Sequence, residues 1–297
     1  MVPKRFGLAR VISLARALSK LGYCSRSRAA ELILGNGVRV NGRVVRNPGF
    51  PVRIGNDRIE VDGAALEKTP FIYLAMNKPR GVVTTASDEK GRTTVYDVLE
   101  RVSKTGSGKG TALAAEGMRA NSRKLFLKHL VDDKEALPPQ QRASQQLASH
   151  RWVAPVGRLD KASEGLLLFT NDSAWAATVT DPASHLDKVY HVQVDCVLRP
   201  DMFAKVVDGC VVDGEHLRAK GARLLRQGSR NSWLEIVLDE GKNRQIRRLL
   251  EALEVKVLRL VRVQIGPLEL GDLKKGEVRA LTAKEKQALD RALRRAE

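Results

Sequence analysis

The sequence predicts an α+β protein of two unequal parts, a small basic N-terminal module and a larger domain around a mostly antiparallel sheet. Three observations support this. Two short amphipathic stretches near the N-terminus precede an Asn-Gly pair flanked by β-branched residues. Beyond residue 70, strand-like runs interleave with a few helical ones. The chain has 297 residues, 43% of them apolar, enough for two domains and a sizeable core.

In the N-terminal module, Leu14, Ala17, Leu18 and Leu21 recur at helical spacing, and Gly22 ends that helix. Ser25 is a suitable N-cap for a second helix with Ala29, Leu32 and Ile33 on its apolar face, stopped by Gly35-Asn36-Gly37. Val38-Arg39-Val40 and Arg43-Val44-Val45 then flank Asn41-Gly42. A type I′ hairpin turn needs positive φ at both central residues, which Asn-Gly supplies. A last strand at 58–61 runs into Asp62-Gly63. Residues 1–62 are thus expected to form one unit, 63–70 (GAALEKTP) a linker, and 71–297 the second domain.

In the second domain, strands are expected at 71–76, 188–195, 233–238 and 255–265, and helices at 201–208, 243–253 and 283–297. The stretch from about 100 to 150 is rich in Lys, Ser, Gly, Ala and Gln, and reads as a flexible basic insertion with one helix near 122–130. Its Gly-Lys-Gly-Thr is no Walker A loop, because Lys109 is followed by Gly110 and no buried strand precedes it.

Lys and Arg number 52 against 34 Asp and Glu, a net charge of +18. That excess suits a polyanion, whose phosphates release counterions on binding. An anionic membrane surface is the competing partner, but no apolar run approaches the roughly 20 residues of a span. The N-terminal MVPKRFGLARVISLARALSK lacks the h-region and cleavage site of a secretory signal, leaving a transit peptide or surface helix as the other reading. Cys24, Cys196 and Cys210 form no C-x-x-C pair, and their odd number argues against a disulfide framework and for a reducing cytoplasm. The five histidines lack ligand spacing, so no metal is expected.

The segment with the most chemistry is VAPVGRLDKASEGLLLFTND, residues 153–172. A short strand leads to Gly157-Arg158-Leu159-Asp160, and Gly165 opens a buried run, Leu166 to Phe169. Asp160 therefore sits on a turn between two buried elements, between Arg158 and Lys161. An aspartate in such a place, taken alone, is more often a turn cap than a catalyst.

Two resemblances change that weighting. LARALSKLGYCSRSRAAELILGNGVRVNGRVV resembles the S4 RNA-binding domain nearly throughout. This implies that Arg16, Arg26 and Arg28 hold RNA phosphates, contacts that set register more than sequence preference. GRLDKASEGLLLFTND resembles the signature of pseudouridine synthases that carry an N-terminal S4 domain and act on ribosomal RNA. Three further stretches agree: MNKPRGVVTTASDEKGRTTVYDVL, DKVYHVQVD, and LDEGKNRQIRRLL with the closing IGPLELGDLKKGEVRALT. The resemblance covers almost all of the chain outside 100–150.

The family implies a uridine-to-pseudouridine isomerase without cofactor, with Asp160 as the catalytic carboxylate, Arg247 as its cationic partner and Tyr190 stacked on the target uracil. Arg158 would fill the space of a flipped-out base, and Lys78, Lys242 and Arg244 would line the phosphate path. Spacing alone reads Arg247 as an exposed pair with Glu251, Tyr190 as a core tyrosine, and the three phosphate residues as a solvated basic face. The expected partner is ribosomal RNA or a ribosome-assembly intermediate, bound by a monomer in the cytoplasm. The competing function is a ribosome-assembly protein that binds RNA without catalysis, for which the charge excess alone speaks. Convergence of Asp160, Tyr190 and Arg247 on one site separates the two.

Overall fold

The computed structural model describes residues 11–66, 70–85, 88–105 and 152–294. At its start, β1 (Ile12–Ser13) runs into α1 (Leu14–Lys20), whose first turn is capped by Ser13 Oγ accepting from Arg16 N. Leu14, Ala17, Leu18 and Leu21 are all buried, as their spacing requires, and Gly22 turns the chain at φ +76°. Ser25 Oγ accepts from Arg28 N at 3.2 Å and caps α2 (Arg26–Leu34). Asn41 and Gly42, at φ +51° and +81°, join β2 (Val38–Val40) to β3 (Arg43–Val44). β4 (Pro51–Val52) pairs with β1, and β5 (Ile59–Val61) with β2. The expected linker at 63–70 is corrected at its start. Asp62 and Gly63 repeat the left-handed pair at φ +50° and +81°, and β6 (Ala64–Ala65) folds back onto β5. An Asp-Gly pair supplies the same turn geometry as Asn-Gly, so the chain makes a second hairpin there.

The larger domain contains β7 (Tyr73–Lys78), α3 (Val95–Thr105), β8 (Ala154–Val156), β9 (Glu164–Thr170), α4 (Ser173–Thr180) and β10 (Lys188–Val194). It continues with α5 (Asp201–Asp208), β11 (Cys210–Val212), β12 (Glu215–Leu217), β13 (Gly221–Gln227) and β14 (Ser232–Leu238). Last come α6 (Gln245–Ala252), β15 (Val257–Ile265), β16 (Leu268–Glu269), β17 (Val278–Ala280) and α7 (Ala283–Arg294). One nine-stranded sheet runs β13-β14-β10-β15-β9-β7-β17, with β8 on β9 and β16 on β15. Its pairings are antiparallel except β9 with β15. The expected α+β fold with a mostly antiparallel sheet is what forms.

The central strand β9 is buried along its whole length, which explains its unbroken apolar run. On β14 the two faces differ: Ser232, Leu234, Ile236 and Leu238 are buried and the residues between them half-buried. α5 and α6 cover that buried face through Val206, Ile246, Leu249 and Leu250. α4 and α7 cover the other side of the sheet at β9 through Trp175, Val179, Leu289 and Leu293. α3 runs to Thr105, so the compositional shift near residue 100 does not mark the end of ordered helix. The rest of the expected insertion, with the helix at 122–130, lies outside the described residues. Among the described residues no helix is long and apolar enough to cross a membrane.

Candidate active site

Between β8 and β9 the chain turns at Gly157, φ +72°, and passes through Arg158, Leu159 and Asp160. Leu159 is buried and anchors this turn in the core beneath α3. Every backbone carbonyl from Leu159 to Ser163 then meets a donor. Thr84 Oγ1 donates to Leu159 O at 2.7 Å and accepts from Leu159 N. Lys78 Nζ donates to Asp160 O at 3.0 Å and Ser163 O at 2.9 Å. Gly81 N donates to Lys161 O at 2.7 Å, and Arg247 Nη2 to Ala162 O at 3.1 Å. Ser163 N closes the turn onto Asp160 O. Such a turn has little freedom, so the half-buried Asp160 carboxylate projects from a pre-organised backbone. It faces a cavity of about 370 Å³, also lined by Arg80, Gly81, Lys161, Ala162 and Arg244.

Glu164 follows at once, buried, with Arg259 donating to both its oxygens at 3.1 and 3.2 Å and Lys275 Nζ at 2.6 Å. At Gly165 β9 runs parallel to β15, and φ is +102°. A Cβ there would lie 2.2 Å from Arg262 O, so only glycine fits this close approach. Arg262 also pairs with Tyr190 across the β10–β15 ladder, so both side chains share a face. Arg262 is buried, with Nε bonded to Leu166 O and Nη2 without a partner among the described residues. Tyr190 is half-buried and packs against two core clusters, one of which contains Leu159. Among the described residues no cluster of three or more His, Cys, Asp or Glu side chains is arranged to hold a metal ion.

The family model described as RNA pseudouridylate synthase matches residues 72–252, and the S4 domain model matches residues 13–59. The chain belongs to the RNA pseudouridylate synthase family. An RNA pseudouridine synthase of Rickettsia prowazekii is 33% identical over 274 residues, covering 91% of this chain and 94% of that protein. The ribosomal large subunit pseudouridine synthase B of Bacillus subtilis is 32% identical over 278 residues, covering 93% of this chain and 94% of that protein. A solved pseudouridylate synthase shares the fold, with a TM-score of 0.54 at 24% identity over 94% of this chain and 99% of that one.

Several of the expected pseudouridylate synthase site residues stand elsewhere than the sequence suggested. Lys78 is removed from the phosphate path. It is fully buried, its amine donates to Pro79 O, Asp160 O and Ser163 O, and burial pushes its pKa down to about 8. It holds the Asp160 turn through backbone carbonyls instead. Arg247 comes to that same turn, but no ion pair within 4.0 Å joins it to Asp160. Its Nη2 is taken by Ala162 O, and its buried Nε has no partner among the described residues. Burial and the nearby Arg244 guanidinium lower the pKa of Arg247, while the Asp160 carboxylate acts in the opposite direction, so the two charges feel each other without contact. Lys242 is engaged by Glu240 at 3.2 Å and by His216 O at 2.8 Å and does not line the cavity. Arg244 does line it, and Arg158 is exposed on the turn. Arg16 and Arg26 are exposed on the S4 domain, and Arg28 there pairs with Glu31 at 2.7 Å.

Sequence reading passed over Arg80, Thr84, Glu164 and Arg262. Arg80 carried a signal, since it lies in the quoted NKPRG stretch. Thr84 and Glu164 lie in quoted stretches as well, but nothing local showed their roles, because their partners are 75 and 95 residues away.

Proposed function

We propose that this pseudouridylate synthase converts a specific uridine of ribosomal RNA to pseudouridine, with Asp160 as the essential catalytic carboxylate. The reaction breaks the N1–C1′ bond, forms a C5–C1′ bond, and moves the proton count from C5 to N1. No electrons leave the nucleotide, so the chemistry asks for an ionised carboxylate and a base for the C5 proton. Arg247 supplies positive charge near the Asp160 carboxylate. Tyr190, which packs against the core cluster that contains Leu159, sits beside the target base. Arg158 fills the space that the flipped base leaves, and Arg244 meets the RNA backbone. The S4 domain, through Arg16, Arg26 and Arg28, holds flanking RNA phosphates, and the protein works as a monomer in the cytoplasm.

The observation that carries this reading is the run of pinned carbonyls from Leu159 to Ser163, which fixes one half-buried carboxylate at a cavity rich in cations. The Bacillus subtilis relative, by its name, favours ribosomal RNA as substrate. In the test, Asp160→Asn is expected to abolish pseudouridine formation on purified ribosomal RNA and to leave RNA affinity within about twofold, as for a group used only in the transition state. Product formation by that variant would remove Asp160 from its role. Mapping pseudouridines in ribosomal RNA of cells lacking the protein identifies the target uridine.

A further inference from the structure

The cavity over Asp160 holds more positive charge than its own carboxylate offsets. Its charged lining is three cations, Arg80, Lys161 and Arg244, against Asp160 alone. Arg80 and Arg244 make no ion pair and no side-chain hydrogen bond among the described residues. Neighbouring cations are occupied. Lys78 and Arg247 are held by carbonyls of the turn, Lys242 by Glu240, and Arg248 by Asp213 and Glu215. Two like charges left uncompensated at a cavity repel each other and attract an anion of matching charge.

The two arginines come from separate elements. Arg80 follows β7 in the turn whose Gly81 N is bonded to Lys161 O. Arg244 stands at the start of α6 in a left-handed conformation, φ +48°. That conformation is costly for a long side chain and persists only where its surroundings impose it. Gln245 does so: its amide accepts from Lys242 N and donates to Arg218 O and Glu240 Oε1. Both guanidiniums lie close enough to Arg247 to lower its pKa.

A uridine inside an RNA chain brings two phosphodiesters, one on each side of its sugar, and so two negative charges. We propose that Arg80 and Arg244 bind these two phosphates, one each, so that the cavity selects an internal nucleotide through its backbone. The guanidinium fork suits a phosphate better than an ammonium does, and two forks from different elements read the spacing between phosphates. The proposal rests on the reading of this cavity as the uridine site. It adds that the site carries an affinity for the nucleotide's charge that is independent of the base.

The probes are uridine, its 5′-monophosphate, its 3′-monophosphate and its 3′,5′-bisphosphate, titrated into the full chain at low salt by calorimetry. The bisphosphate is expected to bind tightest and uridine weakest, with about a tenfold step per phosphate. Arg80→Gln should lose the preference for one monophosphate and Arg244→Gln the preference for the other. Arg223→Gln is the control, since Arg223 is engaged by Glu235 outside the cavity, and it should leave the order unchanged. Equal affinity for all four probes, or loss of the same preference in both variants, overturns the proposal. Pseudouridine formation by the same wild-type sample is scored separately. Its absence would defeat the functional reading, whereas its presence without a phosphate order would defeat this proposal alone.

Discussion

Burial leaves the Lys78 amine with three backbone carbonyls as its hydrogen-bond partners and lowers its pKa to about 8, against the opposing pull of Asp160 and Glu164. A charged amine has three N–H groups for these carbonyls, whereas a neutral amine has two. Raising the pH through 8 therefore loosens the grip on the Asp160 turn, and the single-turnover rate of pseudouridine formation should fall there. In Lys78→Arg the cation persists, so that alkaline fall should vanish; an unaltered fall would assign it to another group. Stability responds with the opposite sign. The depressed pKa means that the unfolded chain binds more protons than the folded one between about 8 and 10.5. The burial penalty of Lys78 is therefore complete below pH 8 and is relieved as the pH rises across that window. Lys78→Met removes the penalty but strands the Ser163 carbonyl, and should cost about 1–3 kcal/mol near pH 7 in chemical denaturation.

The turn 157–163 and the strand after it behave as one element held from four directions: β7, the segment after it, α6 and β15. Thr84 serves both polar atoms of Leu159, so Thr84→Val should cost about 1–2 kcal/mol and reduce the catalytic rate while leaving RNA affinity nearly unchanged. A loss confined to RNA affinity would mean that the turn is not what Thr84 holds. Gly165→Ala forces a Cβ against Arg262 O where the two central strands run parallel. With a left-handed φ and a backbone clash together, the cost should exceed ~3 kcal/mol in denaturation midpoints. A variant of unchanged stability would mean that β9 and β15 are paired in another register.

Across the whole molecule the net charge is +18, and both the RNA-binding S4 domain and the cavity over Asp160 carry an excess of cations. RNA affinity should therefore fall steeply with salt. Replacing Arg26 and Arg28 together should flatten the slope of log K against log salt by about 1–2 units, the amount that two phosphate contacts contribute. Arg28 reaches the smaller end of that range if its pair with Glu31 survives binding. The slope of the double variant, compared with that of Asp160→Asn, separates phosphate holding from catalysis.

Much of this was legible in the chain because its causes are local. Asn41-Gly42 makes its hairpin through backbone preferences of two adjacent residues, and Ser25 caps α2 through an amide three residues on. The periodicities of α1 and β14 reflect which face they bury. The same holds for the placement of Asp160 on a turn between buried strands, and for the motif string around it. What tertiary structure decided are the partners of long side chains. Lys78 was expected on the phosphate path by the family resemblance, and on a solvated basic face by the residues alone. It turns inward because the carbonyls of Asp160 and Ser163, on a turn more than 80 residues away, accept from its amine. Arg247 was expected against the Asp160 carboxylate and found against a carbonyl of the same turn, a difference of which acceptor packing brings nearest. Asp160 itself is thus named by its sequence context, but its rigidity comes from residues on other elements, and only the assembled sheet brings them together.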